Sequence, residues 1–182
     1  MLRKGLAIAV SDGQSYRIEP LHEAHHRSAF RCDVEEPDDY FRYRAGQDAK
    51  RKVAAVFVMS AEDGSIAGYY TLSAYSVIAR ELPQPVTKKL PRYPQLPATL
   101  LGRLVVSEQY RGRKLGQRQL TDAVHRSWRA TSEVASIGVV VDAIDESARS
   151  FYLHHEFIPF PDHANRLFLS MGTIERLFKP RE

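Results

Sequence analysis

Leu101-Gly102-Arg103-Leu104-Val105-Val106-Ser107-Glu108-Gln109-Tyr110-Arg111-Gly112-Arg113-Lys114-Leu115-Gly116 is the stretch on which the fold turns. A run of leucine and valine leads through a short polar turn into a basic, glycine-bearing loop. Behind the loop, Leu120, Ala123, Val124, Ser127, Trp128 and Thr131 recur at helical spacing, so the whole reads strand, loop, helix. The first turn of a helix has N–H groups without intrahelical acceptors and the positive end of the macrodipole, which together suit a phosphate. Arg111, Arg113, Lys114 and Arg118 add charge of the matching sign. The alternative is an ordinary strand-to-helix turn with a solvated charge run, because short glycine motifs match often by chance.

Outward from this stretch, charge is unevenly spread. Residues 88 to 118 hold Lys88, Lys89, Arg92, Arg103, Arg111, Arg113, Lys114 and Arg118 against Glu108 alone, a net of +7 in a chain of net +4, so the remainder carries −3. A basic stretch in a mildly acidic chain points to polyanionic ligands: a nucleotide cofactor, RNA, or both. The 182 residues suffice for one well-buried domain, and 43% hydrophobic with 26% charged residues excludes a disordered chain. The apolar start, Leu6-Ala7-Ile8-Ala9-Val10, halts at Ser11-Asp12-Gly13, too short for a signal-peptide core or a membrane span. Residues 1–14 are therefore expected to be a flexible segment, and the protein cytoplasmic and unattached to membrane. One cysteine, Cys32, excludes an internal disulfide framework.

In chain order, Tyr16 to Pro20 reads as a strand ended by proline, and His22 to Phe30 as a helical turn or two. Glu35-Glu36-Pro37-Asp38-Asp39 starts a helix that runs to Lys50-Arg51-Lys52, acids first and cations last, as the dipole favours. Ala54 to Met59 and Ile66 to Ile78 read as strands around a turn at Glu62-Asp63-Gly64-Ser65. Five of the ten prolines fall between residues 80 and 98, an excursion with a short helix near Val86 to Leu90 and no strand continuing through it. A strand follows at Thr99 to Ser107, then a helix from Leu115 to Thr131 and a buried-looking strand at Ile137 to Val141. Asp145 can cap a helix carrying Ala148, Phe151, Tyr152 and His155 on one face, and strands near Phe157 and at Arg166 to Met171 come before Thr173 to Phe178. The prediction is a mixed α/β (α+β) single domain spanning residues 1–182.

Three histidines, His22, His25 and His26, share a helical face, but no further Cys or His cluster has ligand spacing, so no metal is expected. Cys32 lacks a nucleophile signature and reads as a small half-buried residue.

This order of elements, with Arg-x-x-x-x-Gly at a helix start and a later helix bearing Phe151-Tyr152, resembles the GNAT N-acetyltransferase superfamily over about Tyr16 to Phe178. Gly68-Tyr69-Tyr70-Thr71-Leu72-Ser73, Leu90-Pro91-Arg92-Tyr93-Pro94 and Leu101-Gly102-Arg103-Leu104-Val105-Val106 are similar to the tRNA-acetylating toxins of bacterial toxin–antitoxin pairs. The resemblance implies the GNAT fold, with a mixed central sheet of about six to seven strands flanked by helices. It implies acetyl-CoA as the cofactor, CoA as the product and no metal. Backbone amides of Arg111, Gly112, Arg113, Lys114, Leu115 and Gly116 would bind the pyrophosphate, and amides near Leu104, Val105 and Val106 the pantetheine arm and thioester carbonyl. Tyr152 corresponds to the general acid, although its pattern alone also fits a core residue. Arg103 would lie near the substrate, with an exposed, acid-paired strand residue as the other reading. Lys88, Lys89 and Arg92 would bind the RNA.

Three positions depart from the family pattern. Lys114 stands where the family pattern has glycine: it is strained if the position needs positive φ, and harmless, adding a phosphate partner, if it lies in the first helical turn, which is the expected case. Glu156 replaces a helix-capping glycine, so either it adopts a left-handed backbone or the helix ends differently. Val105 stands where the toxins often carry a smaller residue. The expected reaction is acetyl transfer to a primary amine, foremost the α-amine of an aminoacyl-tRNA, by a homodimer partnered by a ribbon-helix-helix antitoxin. The alternatives are a small amine or a protein N-terminus as acceptor, or a CoA- or RNA-binding module without turnover.

Overall fold

A computed structural model describes residues 14–179, so the expectation for the N-terminal segment falls almost wholly outside the described residues. Seven strands form one mixed sheet in the order β1-β2-β3-β4-β5-β7-β6. They are β1 (Tyr16–Pro20), β2 (Ala55–Ala61), β3 (Ile66–Ile78), β4 (Gln95–Val106), β5 (Gly138–Asp142), β6 (Ile158–Phe160) and β7 (His163–Ser170). β1 pairs antiparallel with β2, β4 parallel with β5, and β7 antiparallel with both β5 and β6. The helices are α1 (Glu35–Asp39), α2 (Ala45–Arg51), α3 (Gln84–Thr87), α4 (Leu115–Ala130), α5 (Glu146–His154) and α6 (Met171–Phe178), with a π-helical turn at Tyr40–Arg44 joining α1 to α2. The residues cluster into two compact units, one holding the chain up to Thr71 with Arg103–Asp122, the other Leu72–Gly102 with the chain from Ala123 onward.

The first unit is built on aromatic packing. Phe41 stacks on Tyr69 at 4.3 Å, Phe30 meets Phe41 edge-on at 4.9 Å, and the Tyr69 hydroxyl donates to the Pro37 carbonyl at 2.8 Å. Burying a ring of this size while its polar end finds an acceptor is the favourable way to place tyrosine in a core. Tyr16, Met59, Ala67, Tyr110 and Leu115 form a second cluster in the same unit. In the second unit Val77, Leu82, Leu96, Ala98, Val140, Phe160 and Phe168 pack together.

Four sequence expectations are corrected. β4 begins at Gln95 and runs through Pro97 rather than starting at Thr99. Proline lacks only its donor here: the Pro97 carbonyl still accepts the Ile137 N–H at 2.9 Å, and the residue is exposed. The short helix of the excursion is Gln84–Thr87, where Pro85 sits in the first turn and costs no hydrogen bond. Of His22 to Phe30 only Arg27–Ala29 is helical, as one 3₁₀ turn. The acid-rich helix does run to Lys50 and Arg51, but it contains the π turn, a feature without a residue-level signature.

Candidate active site

The loop that follows β4 is clamped at both ends. Ser107 donates its N–H to the Ala67 carbonyl at 2.9 Å, and the 3₁₀ turn Glu108–Tyr110 is anchored by the Glu108 N–H on the Arg31 carbonyl at 3.0 Å. Tyr110 packs edge-on to Tyr16, with centroids 6.0 Å apart, and its hydroxyl is hydrogen-bonded to Ser65 Oγ. At the far end Leu115 is buried in the same cluster. Between these anchors Gly112 has φ +78° and Lys114 φ +58°. Lys114 is therefore not an ordinary first-turn residue, as its sequence position suggested, but occupies the left-handed region. That conformation costs an L-residue about 1 kcal/mol or more. The first helical bond runs from the Arg118 N–H to the Lys114 carbonyl at 3.3 Å. The amides of Leu115 and Gly116 therefore precede any intrahelical acceptor, as the first N–H groups of a helix do.

The last residues of β4 have a defined orientation. The parallel ladder to β5 covers Thr99–Leu101 and Val139–Val141, whereas β4 continues to Val106. The Arg103 N–H donates to Thr71 Oγ1 on β3 at 3.1 Å, and the Val105 carbonyl accepts from Gln119 Nε2 at 3.1 Å. Gly68 of β3 lies against the same carbonyl, since a Cβ there would sit 2.4 Å from Val105 O and 2.3 Å from Gln119 Nε2. Strand alternation then turns the N–H groups of Leu104 and Val106 away from β3. Val105 packs toward the Phe41–Tyr69 cluster and Val106 toward the Tyr16–Tyr110 cluster, as alternation requires. Of the three expected amides, Leu104 and Val106 are turned outward, while the N–H of Val105 points toward β3. Gln119 is fully buried on the apolar face of α4. A buried glutamine in an apolar stripe was the available signal, and the sequence reading missed it.

Much of the local positive charge has internal partners. Arg103 contacts Glu36 at 2.7 Å and lies 3.6 Å above the Tyr40 ring, while Arg44 reaches the same Glu36 at 3.1 Å. The Arg103 hydrogen bond holds the Glu36 carboxyl below its usual pKa, and burial pushes the Tyr40 phenol up to about 12. The acid-paired reading of Arg103 thus describes its contacts. Arg111 pairs with Asp33 at 3.1 Å and hydrogen-bonds the Cys32 carbonyl. Arg113 donates to Gln14 Oε1 at 2.7 Å, and Arg118 donates to the Tyr16 carbonyl. Lys114 is exposed. Lys88, Lys89 and Arg92 are also exposed, and belong to the second unit.

Tyr152, also in the second unit, sits on α5. Asp145 caps that helix by accepting the Ala148 N–H at 2.7 Å, as its sequence position suggested. At the other end the Glu156 N–H bonds the Leu153 carbonyl at 3.2 Å and the Phe157 N–H the Tyr152 carbonyl at 3.1 Å. This is a Schellman ending, and Glu156 takes the left-handed position with φ +66°. Of the two alternatives for Glu156, the strained one holds. Phe157 packs on the Tyr152 ring at 5.3 Å, the hydrophobic contact that accompanies such caps. Tyr152 is 7% exposed, and burial raises its phenol pKa, which keeps the hydroxyl protonated.

Among the described residues one group has the spacing of a metal site: Glu19, His22 and His25, whose ligand atoms lie within 4.8 Å of one another. His25 Nδ1 accepts the His22 N–H at 3.1 Å, so the neutral ring carries its proton on Nε2, which faces Glu19 Oε1 at 3.4 Å. A cation at that nitrogen would have to displace a proton that the tautomer requires. His25 Nε2 is buried without a hydrogen-bond partner among the described residues, whereas His22 Nε2 lies 3.3 Å from the same Glu19 oxygen. Cys32 is buried rather than half-buried, and burial pushes its thiol up to about 11, which disfavours the thiolate.

A strand with outward amides, followed by a glycine-bearing loop at a helix start, is an arrangement compatible with a phosphate-bearing ligand. Residues 18–157, which run through both units, match the Acetyltransferase (GNAT) family, and the chain belongs to that family. It is 33% identical over 140 residues to a tRNA-acetylating toxin of Mycobacterium tuberculosis, covering 77% of this chain and 82% of the relative. It is 29% identical over 169 residues to the probable toxin TacT of Sinorhizobium fredii, covering 88% and 93%. Among solved structures, AtaT complexed with acetyl-methionyl-tRNAfMet superposes with a TM-score of 0.83 at 27% identity, covering 90% of this chain and 99% of AtaT. A Tyr-to-Phe mutant of KacT gives 0.83 at 26% identity with the same coverage, and AtaTR bound with AcCoA gives 0.78 at 26%. The seven-stranded sheet with flanking helices is the GNAT fold of these neighbours.

Proposed function

We propose that this protein is an acetyl-CoA-dependent N-acetyltransferase whose acceptor is the α-amine of an aminoacyl-tRNA. The observation that carries the acceptor is the 33% identity, over most of the chain, to a protein named for acetylating tRNA. The β4 edge and the loop into α4 support the cofactor assignment. In this reading the amides of Arg111 to Gly116 hold the pyrophosphate, and the outward amides of Leu104 and Val106 hold the pantetheine arm and meet the negative charge developing on the thioester oxygen. Acetyl-CoA supplies the activated acyl group. The incoming amine forms the C–N bond as the C–S bond breaks. Tyr152, kept protonated by burial, gives its proton to the leaving thiolate, and the amine loses one to solvent. An α-amine with a reference pKa of about 7.7–8.0 needs no strong base, so the want of an obvious one is no obstacle.

Lys88, Lys89, Arg92 and Arg103 are assigned to the RNA in this reading. The protein is taken to act as one GNAT domain, as a homodimer in the cytoplasm, without a metal, and under the control of a ribbon-helix-helix antitoxin of the kind that accompanies such toxins. Among the described residues no helix is long and apolar enough to cross a membrane.

The test is transfer of label from acetyl-CoA to a charged tRNA pool, with none to the same pool after deacylation. Label confined to polyamines, free amino acids or protein would overturn the acceptor and leave the acetyltransferase.

A further inference from the structure

A second feature of the first unit is not used by acetyl transfer. A cavity of about 360 Å³ is lined by His25, His26, Arg27, Arg31, Arg42 and Tyr43, from the Arg27–Ala29 turn and the π-helical segment. Its three arginines are fixed by backbone carbonyls. Arg27 Nη1 donates to the Phe41 carbonyl at 2.9 Å, and the guanidinium lies so close to α2 that a Cβ on Gly46 would sit 3.0 Å from Nη2. Arg31 Nη1 donates to the Ser28 and Phe30 carbonyls at 3.0 and 2.7 Å. Arg42 donates to the Phe30 carbonyl at 3.1 and 2.8 Å, and it alone of the three has carboxylates nearby, Asp38 at 3.2 Å and Asp39 at 3.8 Å. Among the described residues no carboxylate lies within ion-pair distance of Arg27 or Arg31.

A carbonyl orients a guanidinium without cancelling its charge. Each guanidinium has five donors and no acceptor, so the wall offers donors in excess and two positive charges without a carboxylate among the described residues. Like charges held together in this way favour an anion with several acceptor oxygens. Tyr43, at the same cavity, is 70% exposed, an aromatic face open to a planar partner. An acidic peptide would satisfy the arginines but leave that ring unused, whereas a nucleic-acid strand offers a phosphate and a base together.

We propose that this cavity is a docking subsite for RNA, with Arg27 and Arg31 holding a backbone phosphate and Tyr43 stacking on an unpaired base. It rests on the aminoacyl-tRNA reading, and adds a contact to the RNA that is independent of the loop into α4.

The test measures tRNA binding by fluorescence anisotropy across a salt series for the parent chain, Arg31→Gln and Tyr43→Ala. Both substitutions fall on exposed side chains, and the CoA-induced melting shift serves as the control for folding. Arg31→Gln should weaken binding and reduce the log–log salt slope by about 0.7–0.9. Tyr43→Ala should weaken binding roughly tenfold with the slope unchanged. Folded variants that match the parent in affinity and slope, while the parent still acetylates charged tRNA, would overturn the subsite and leave the tRNA reading intact. A parent that binds CoA but neither binds tRNA nor transfers to it would remove the tRNA reading, and the subsite with it. Polyglutamate bound as tightly as tRNA, with the same sensitivity to both substitutions, would make the cavity a protein-docking patch and overturn the RNA assignment.

Discussion

Three residues hold conformations or protonation states that individual substitutions can probe. Tyr152 keeps its ring between Phe151 and Phe157, so Tyr152→Phe removes the hydroxyl and preserves the packing. Turnover should fall by about 10²–10⁴, the usual scale for a positioned proton donor, with acetyl-CoA affinity unchanged. Steady-state kinetics within a few-fold of the parent would make Tyr152 a core residue. Lys114 and Glu156 each hold positive φ without glycine. Lys114→Gly and Glu156→Gly should each stabilise by about 1 kcal/mol, equivalent to a Tm rise of roughly 2–4 °C for a chain of this size. If phosphate is held by amides, Lys114→Gly should leave CoA affinity within a few-fold. A large loss on titration calorimetry would shift the contact to the lysine ammonium.

At the scale of elements, the edge of β4 depends on α4 as well as on β3. Gln119 donates to the Val105 carbonyl, and thereby helps to turn the Val106 N–H of the same peptide outward. Its Oε1 is buried without a hydrogen-bond partner among the described residues. Gln119→Leu removes a needed donor and an unsatisfied acceptor together. The first costs about 1–3 kcal/mol and the second offsets part of it, so a net loss of roughly 1 kcal/mol is expected in thermal melts. Acetyl-CoA binding should weaken as the strand edge loosens. An unchanged dissociation constant would show that the Gly68 contact alone sets that edge. The π turn has a comparable local role, because it lies in the segment that presents Tyr40 and Arg44 to Arg103 and Glu36.

For the whole molecule the clearest expectation is in acid. Burial lowers the pKa of His25, with His22 opposing its charge and Glu19 favouring it. An unfolded histidine titrates near 6.5, so the unfolded chain takes up this proton first as pH falls. Stability should therefore be level above about pH 6.5 and decline below it until the folded-state pKa is passed. His25→Asn, which can still accept the His22 N–H, should flatten that step. Glu36 behaves as a depressed carboxylate: its contribution is present above the unfolded value and lost as pH falls through the folded one. Melting temperatures that do not change between pH 7 and pH 5 would contradict the His25 assignment.

The sequence by itself determined the order of strands and helices, the loop into α4, the Asp145 cap and the family. These are local or near-local signals: hydrophobic period, turn residues and a motif of fixed spacing. It also posed the right question at Glu156. Tertiary structure alone decided that Lys114 is left-handed, because φ at that residue depends on how Tyr110 and Leu115 anchor the two ends of the loop. It alone tied Arg103 to Glu36, 67 residues away in sequence, and Arg111 to Asp33, which gave two cations of an apparent charge run carboxylate partners inside the fold. It alone brought Arg27, Arg31 and Arg42 around one cavity, with no carboxylate at ion-pair distance from the first two among the described residues. Spacing along a chain records which side chains share an element, but the partner that cancels or leaves a charge is chosen by packing between elements.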